Sequence, residues 1–529
     1  MKSLLALASI AAVTVLAVAC GSGSSSTTDP ESDGGNASDG GKPAPDAAPV
    51  DTVPGGVSLK LVAPLSVTVA AGRSKSLLIT RAGDSAHAVA LTVTGLPAGV
   101  TAMDALIAPM QAMTTLTLVA DATAQPNATP VTITLKGQTS AISATTTFPL
   151  VVSGAPGTLD QSWGTKGVTA GLVETGSQIT GVGVQKNGSV IAGGYVNDQI
   201  VVARYTTAGV LDTAFGTQGQ TRVSVPSSQQ RLAPTTKLVV DKNDAIDIGG
   251  TFKVPVSTSE VIRFTAAGAP DATLGTGGFG TSRGNSSLGG VASDTAGNLI
   301  MAGTGYLTRQ SAAGVMDMNF GINGVALPAG KNAQAIAIQS NGRILAPGLD
   351  TNTTAGFIYG LSPAQGFTDN AFATNGLLQG TNAHNWLAIA LDKSDTIYVA
   401  GQESAAKLLV GKVTKDGAVD NSWNGDGVVA LALGDGGALS KANDVVVQPD
   451  GKVVAVGSTV NSGRSVMVVV RFLATGALDT SFGIDGTGVV LLPVATATAD
   501  ANAVALQADG KILVGGHGDQ DWAIARFWP

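Results

Sequence analysis

The sequence predicts an all-β chain in which a β-sandwich precedes a seven-bladed β-propeller of four-stranded blades. Three observations predict it. A frame, Gly-x-x-Asp-x-x-Φ-(Gly)-x-x-Gly with Φ large and apolar, recurs seven times between Gly157 and Gly486, and a fixed period of this size marks a propeller or a similar array. Each period also carries a strand–turn–strand signal, clearest at 445–457 and 503–516, whose Asp-Gly turns need positive φ at both central residues. Upstream, residues 57–154 alternate apolar and polar between Gly, Pro and Asn turns.

The composition agrees. Charged residues make up 13 % of the chain and 70 of its 529 residues are Gly, while Val, Ala and Thr outnumber long helix formers, which favours strands. The net charge of -7 supports solubility. No cluster of Lys and Arg is interleaved with aromatics, so nucleic acid is not an expected partner.

Residues 1–19 come first. Lys2 supplies a positive start and residues 4–19 an apolar stretch shorter than a typical spanning helix, which reads as an export signal. Its end, Leu16-Ala17-Val18-Ala19-Cys20-Gly21, resembles a bacterial lipoprotein signal. That resemblance implies cleavage before Cys20, a lipid on Cys20, and a membrane-anchored protein of the bacterial cell envelope, outside the cytoplasm, at the outer membrane or cell surface. The leucine that such signals place three residues before the cysteine is one step further back, at Leu16; plain cleavage after Ala19 is the alternative. Cys20 is the only cysteine, so no disulfide forms within the chain. Residues 20–56 follow, rich in Ser, Gly, Asp and Pro, with Lys42 as their one cation. They hold too little apolar surface to offset ordering entropy and are expected to form a disordered tether.

Residues 57–154 show about seven period-two strands, the pattern of a sandwich. The turn Gly95-Leu96-Pro97-Ala98-Gly99-Val100 resembles one common in Ig-like domains of bacterial secreted proteins, which implies a spacer or adhesion module. Residues 155–529 form the repeat. After each hairpin a third strand ends Arg-aromatic, as in Arg204-Tyr205, Arg263-Phe264, Arg471-Phe472 and Arg526-Phe527, and the frame and a fourth strand follow. The chain stops at Trp528-Pro529, where an eighth frame would begin, whereas the first frame stands alone before the first hairpin. Residues 157–172 are therefore expected to pair with the last blade, made by about 501–527, and to close the ring without exposed edges. Frame, hairpin and Arg-Phe strand in this fixed order resemble the bacterial delta-60 repeat family over about 370 residues. The resemblance implies a β-propeller and supplies no activity. Departures are local: Pro270, Leu274, Ala373, Asn424 and the turn Asp244-Ala245.

The repeated carboxylates are Asp160, Asp212, Asp271, Asp317, Asp369, Asp420 and Asp479. Each reads either as a ligand or acid, or as a turn residue accepting backbone N–H groups two or three residues on. Seven equivalent copies suit a structural repeat better than seven sites. The turns at 241–244 and 294–298 are too sparse in oxygens for calcium. The three histidines, His87, His384 and His517, lack zinc-site spacing, and no nucleophile elbow is present. No catalytic residue, cofactor or metal is expected. The chain reads as a monomeric, lipid-anchored binding or scaffold protein for a protein or glycan ligand, not as an enzyme. The alternatives are an inert envelope component and a propeller hydrolase or lyase. The latter would need a central-channel site, with polar side chains from loops that break the repeat near 227–234 and 254–259.

Overall fold

A computed structural model of the chain describes residues 58–529 except 128, 171–176, 197–198, 225–229, 255, 282–286, 328–329, 383, 405, 436–438, 493, 495–497 and 520. The expected signal and tether, Cys20 included, lie outside the described residues. The fold is all-β: no α-helix occurs among the described residues, and so no helix among them is long and apolar enough to cross a membrane.

Strands Leu59–Val62, Ser74–Gly83, Met113–Ala120 and Val100–Ala102 form one sheet in that spatial order. Val67–Ala70, Ser143–Ser153, Val131–Gln138, Val89–Thr94 and Ala105–Ile107 form a second. Alternate residues such as Leu59 and Leu61, Leu116 and Leu118, or Ile133 and Leu135 turn inwards and meet in one apolar core with Phe148. Sequence alternation misses Val100–Ala102 and Ala105–Ile107 because three residues are too few to display a period.

Among the described residues seven further sheets follow in chain order. The first holds Gln178–Val184, Val190–Val196, Gln199–Tyr205 and Gln220–Ser224. The second holds Gln230–Val240, Ile246–Val254, Val256–Phe264 and Phe279–Thr281, and the third Leu288–Ser293, Leu299–Gly303 and Tyr306–Gln310. The fourth holds Lys331–Ala333 with Ala337–Ile338, then Ile344–Asp350, Ala355–Leu361 and Leu377–Asn382. The fifth holds His384–Leu391, Ile397–Glu403, Lys407–Val413 and Val428–Leu431, and the sixth Lys441–Val447, Val453–Asn461, Arg464–Phe472 and Val489–Leu492. The seventh takes Ala499–Leu506, Ile512–Gly518 and Asp521–Phe527 from the end of the chain and Val168–Ala170 from before the first sheet, with Val168 opposite Ala525.

Consecutive sheets share apolar cores, and each core contains one large frame side chain. Phe215 sits between the first and second sheets, Leu274, Phe320, Phe372, Trp423 and Phe482 between the following pairs, and Trp163 between the seventh and the first. The next frame must open with glycine because it lies on that ring: a Cβ on Gly209 would come within 2.6 Å of Trp163, and one on Gly268 within 2.5 Å of Phe215. The N–H after each large residue donates to the carbonyl before the next frame's glycine, at 2.6–3.0 Å. Gly164 reaches Ala208 O in this way, and Gly483 reaches Pro156 O.

Four expectations shift. Among the described residues the third sheet has three strands instead of four; the sequence there reaches a proline shortly after the frame turn, and proline has no N–H for a ladder. The fourth sheet's first strand is split opposite Pro347, for the same reason. In the seventh frame Gly488, not Gly486, donates to Phe482 O (3.1 Å), as Gly219 does to Phe215 O (2.9 Å), because this turn is two residues longer. The segments near 227–234 and 254–259, expected to be irregular, belong largely to the long strands Gln230–Val240, Ile246–Val254 and Val256–Phe264.

Candidate functional site

Each frame carboxylate is engaged within its own turn. Its Oδ1 accepts the backbone N–H two residues on, at 3.0–3.1 Å in all seven copies. In six copies Oδ2 meets a cation. Arg526 lies 2.8 Å from Asp160, Arg204 2.8 Å from Asp212, and Arg309 2.6 Å from Asp317. Arg343 lies 2.7 Å from Asp369, Lys412 2.9 Å from Asp420, and Arg471 2.9 Å from Asp479. The exception is Asp271, which takes the Thr273 hydroxyl (2.7 Å) while Arg263 turns to the buried Asp247 with two bonds of 2.8 and 3.0 Å. In the fourth sheet Gly360 stands where the others have a cation, and Arg343 substitutes from beside the neighbouring strand. The guanidinium also lies over the frame ring, 4.4 Å from the Phe482 centroid for Arg471 and 5.5 Å from Trp163 for Arg526. It then reaches the next sheet: Arg204 donates to Ala266 O and Arg526 to Thr207 O, both at 2.9 Å. The Arg309 bond holds the Asp317 carboxyl below the ordinary carboxylate range, and Arg343 does the same for Asp369. These groups are distributed from sheet to sheet and do not converge on one place.

Convergence occurs where the first strands of all seven sheets border a cavity of about 170 Å³. The strands bulge at equivalent places, with Thr180, Gly289, Leu387, Asn443 and Asn502 as extra residues, and a bulge re-aims the side chains beside it. The next position lines the cavity. It is Gly181, Lys237, Gly290, Ala335, Ala388, Asp444 and Ala503 in the seven sheets; Lys237 stands opposite Gly249 as Gly181 stands opposite Gly193. Five of these are Gly or Ala, and only Lys237 and Asp444 bring charge. Asp444 Oδ1 accepts the Val445 N–H and Oδ2 the Val504 N–H of the next sheet, both at 2.9 Å. Burial pushes its pKa up, against the pull of Lys237 and of those two bonds. Asn443 and Asn502 donate to Ala501 O and Ile179 O, both at 2.8 Å, and so bridge the sixth, seventh and first sheets. The sequence reading missed Lys237 and Asp444. Aligning the periods on the glycine that every second strand shares, Gly250 and Gly457 in these two sheets, would have found them, since they replace the small residue of the other copies.

The first strands begin at the end away from the frames. There the Tyr195 hydroxyl donates to Gln178 Oε1 (2.6 Å), Lys331 meets Asp350 (2.5 Å), Ser440 and Thr459 share a hydrogen bond (2.8 Å), and Ser465 donates to Asp500 (3.2 Å). In the fifth sheet the ladder partners His384 and Glu403, and Asn385 and Gln402, line a cleft of about 350 Å³ that Leu349, Thr354 and Ser404 complete. Asn385 Oδ1 is buried with no hydrogen-bond partner among the described residues, and so is Glu403 Oε2. The latter lies 3.0 Å from Lys407 Nζ, a charge contact whose angle makes no hydrogen bond. His384 stands edge-on to Trp386 at 5.3 Å, and burial lowers its pKa against the pull of Glu403. His517 lies 3.4 Å from Asn502, and His87 pairs with Asp84 (2.8 Å) in the connection between Ser74–Gly83 and Val89–Thr94, so the histidines occupy three separate places. Among the described residues no three His, Cys, Asp or Glu side chains converge as metal ligands.

A family model described as a domain of unknown function (DUF5122) beta-propeller matches residues 185–215, 448–482 and 507–529. Each segment starts at the turn between a sheet's first two strands, and the first two run on to a frame ring. The chain thus carries a β-propeller. No curated protein matches it. Among solved structures, the Nup133 β-propeller domain of Vanderwaltozyma polyspora is similar over 68 % of this chain and 100 % of its own, at 10 % identity and a TM-score of 0.36. The extracellular domain of a hybrid two-component system from B. thetaiotaomicron is similar over 66 % of this chain, at 10 % identity and a TM-score of 0.38, and the match spans 40 % of that protein's length. An exo-β-1,3-galactanase from Clostridium thermocellum is similar over 66 % of this chain and 73 % of its own, at 12 % identity and a TM-score of 0.30. At these TM-scores none of the three bears on function.

Proposed function

We propose that the propeller is a closed ring of seven blades behind an Ig-like spacer, held at the bacterial cell envelope by a lipid on Cys20. On this reading residues 1–19 are the signal, 20–56 the tether, 57–154 the spacer and 155–529 the ring. The protein acts as a monomeric binding or scaffold module for a protein or glycan ligand, not as an enzyme. The shared cores and the pairing of Val168 with Ala525 support the ring.

One observation carries the binding reading. Of seven equivalent positions around the central cavity, five hold Gly or Ala and two hold opposite charges, Lys237 and Asp444. Five sheets show that a small residue suffices for the architecture, so Lys237 answers to something other than the fold, while Asp444 also ties the sixth sheet to the seventh through the Val504 N–H. The two charges stand in the second and sixth sheets, on opposing sides of a seven-membered ring.

The test is a pulldown with the full chain as bait from extracts of the producing cell. A saturable partner is expected, with about tenfold weaker capture by Lys237→Ala and Asp444→Asn baits that still melt cooperatively. A bait that retains nothing leaves an inert envelope component, and equal capture by both variants removes the channel from the reading. For the anchor, Cys20→Ser is expected to release the protein from washed membranes; unchanged retention refutes lipidation.

A further inference from the structure

The mouth away from the frames is satisfied from within in four sheets and left open in one. The Tyr195–Gln178, Lys331–Asp350, Ser440–Thr459 and Ser465–Asp500 contacts use protein partners on both sides. In the fifth sheet Asn385 Oδ1 and Glu403 Oε2 are buried acceptors that take no hydrogen bond from the described residues, Lys407 meeting Glu403 only as a charge. Native structures rarely leave such groups unmade, because an unmet buried acceptor is destabilising. Here both belong to residues lining one cleft of about 350 Å³, within the range of small-ligand sites.

The cleft's charge narrows what fills it. Lys407 offsets the Glu403 carboxylate at 3.0 Å, and burial keeps the His384 imidazole neutral at neutral pH. The site therefore asks for hydrogen-bond donors without net charge. The Leu349 side chain and the His384 ring give it apolar wall, and the Gln402 and Ser404 side chains further polar groups. The backbone is also strained at this point: Thr354, a β-branched residue on the cleft wall, has φ 58. Such outliers gather at ligand sites, where the surrounding structure holds them.

We propose that this cleft binds a neutral polyhydroxylated ligand, a saccharide whose hydroxyls donate to Asn385 Oδ1 and Glu403 Oε2. The proposal rests on the binding-module reading only in expecting a ligand at this mouth; its residues are distinct from Lys237 and Asp444.

The experiment is calorimetric titration of the full chain with neutral hexoses, pentoses and their linked oligosaccharides, with glucosamine and glucuronate as charged controls. At least one neutral saccharide is expected to bind saturably. Asn385→Leu and Glu403→Leu should each weaken it about tenfold. Glu403→Gln, which keeps one carbonyl oxygen and the shape of the side chain, covers the case in which a leucine variant does not fold, and should weaken binding less. The proposal is overturned if no neutral saccharide binds, if glucosamine binds more tightly than its neutral parent, or if folded Asn385 and Glu403 variants bind as the native chain does. A chain that captures a partner through Lys237 and Asp444 yet binds no saccharide refutes this cleft alone. Saccharide binding without a channel-dependent partner refutes the channel reading alone.

Discussion

The two ends of the propeller sheets are built on opposite principles. At the frame end one solution is repeated: an Asp caps its turn, a cation joins that Asp to the next sheet, and a large ring fills the core between them. Where one copy loses a part, a neighbour supplies it, as Arg343 does for Gly360. At the other end equivalent positions differ from sheet to sheet: Gly181, Lys237 and Asp444 share one place, and the polar pairs of the rim are each of a different kind. The contrast teaches that in a repeat the conserved-looking motif reports architecture. The residues that break the symmetry report what the molecule does.

The contrast fails if the frame end is dispensable, so the strongest test removes a buried cation. Arg471 is 1 % exposed and pairs with Asp479. Arg471→Ala leaves that buried carboxylate with Lys452 alone, 3.4 Å away, and is expected to lower stability by roughly 3 kcal/mol in denaturant titration. Arg204→Ala, at a more open pair, should lower it by about 1 kcal/mol. Similar losses at both would separate the latch from its burial.

Acid provides the second test. The Arg309 bond, the Arg343 bond and the Ser422 hydroxyl followed by Lys412 lower the pKa values of Asp317, Asp369 and Asp420 from 3.8. A carboxyl whose folded pKa lies below its unfolded value adds stability that is complete above the unfolded pKa and disappears as pH falls through the folded one. Asp247 and Asp444, which burial raises, act with the opposite sign, but the lowered frame carboxylates outnumber them. Burial lowers the pKa values of His384 and His517, so the unfolded chain takes up their protons first; stability should begin to fall as pH drops through about 6.5 and fall further below about 4. A chain that gains stability below pH 4 would contradict this.

The smallest effects sharpen the comparison. Lys237→Ala should change stability by no more than about 0.5 kcal/mol, because the other sheets already carry small residues there; a larger loss would make Lys237 part of the architecture. Ala373 has φ 46 where five copies have glycine. Ala373→Gly should stabilise by up to about 1 kcal/mol, the left-handed strain relieved less the extra chain entropy.

The frame was legible in the sequence because its glycines and rings are required by contact, as Gly209 against Trp163 shows. The pairing of the lone first frame with the last strands was legible from where the repeat starts and stops. The cations were seen as strand ends but not as partners of the Asp residues, since the seven residues between Arg204 and Asp212, or between Arg471 and Asp479, show no pattern that pairs them. Lys237 and Asp444 were hidden by the bulge: one extra residue shifts the period-two register, and each looks like an ordinary strand residue until sheets are compared. The fifth-sheet cleft was illegible, because its acceptors come from two strands and its wall from a third.

The contacts between the seventh and first sheets also set an order of events. Asn502 reaches Ile179 O across 323 positions, and Arg526 reaches Thr207 O across 319. While residues 499–527 are still unmade, Val168–Ala170 has no strand to join and Trp163 lacks much of the core that encloses it. The earliest part of the repeat must therefore wait for the latest. Closing so long a loop is slow, and a chain cut short by even one terminal strand keeps its beginning unfinished.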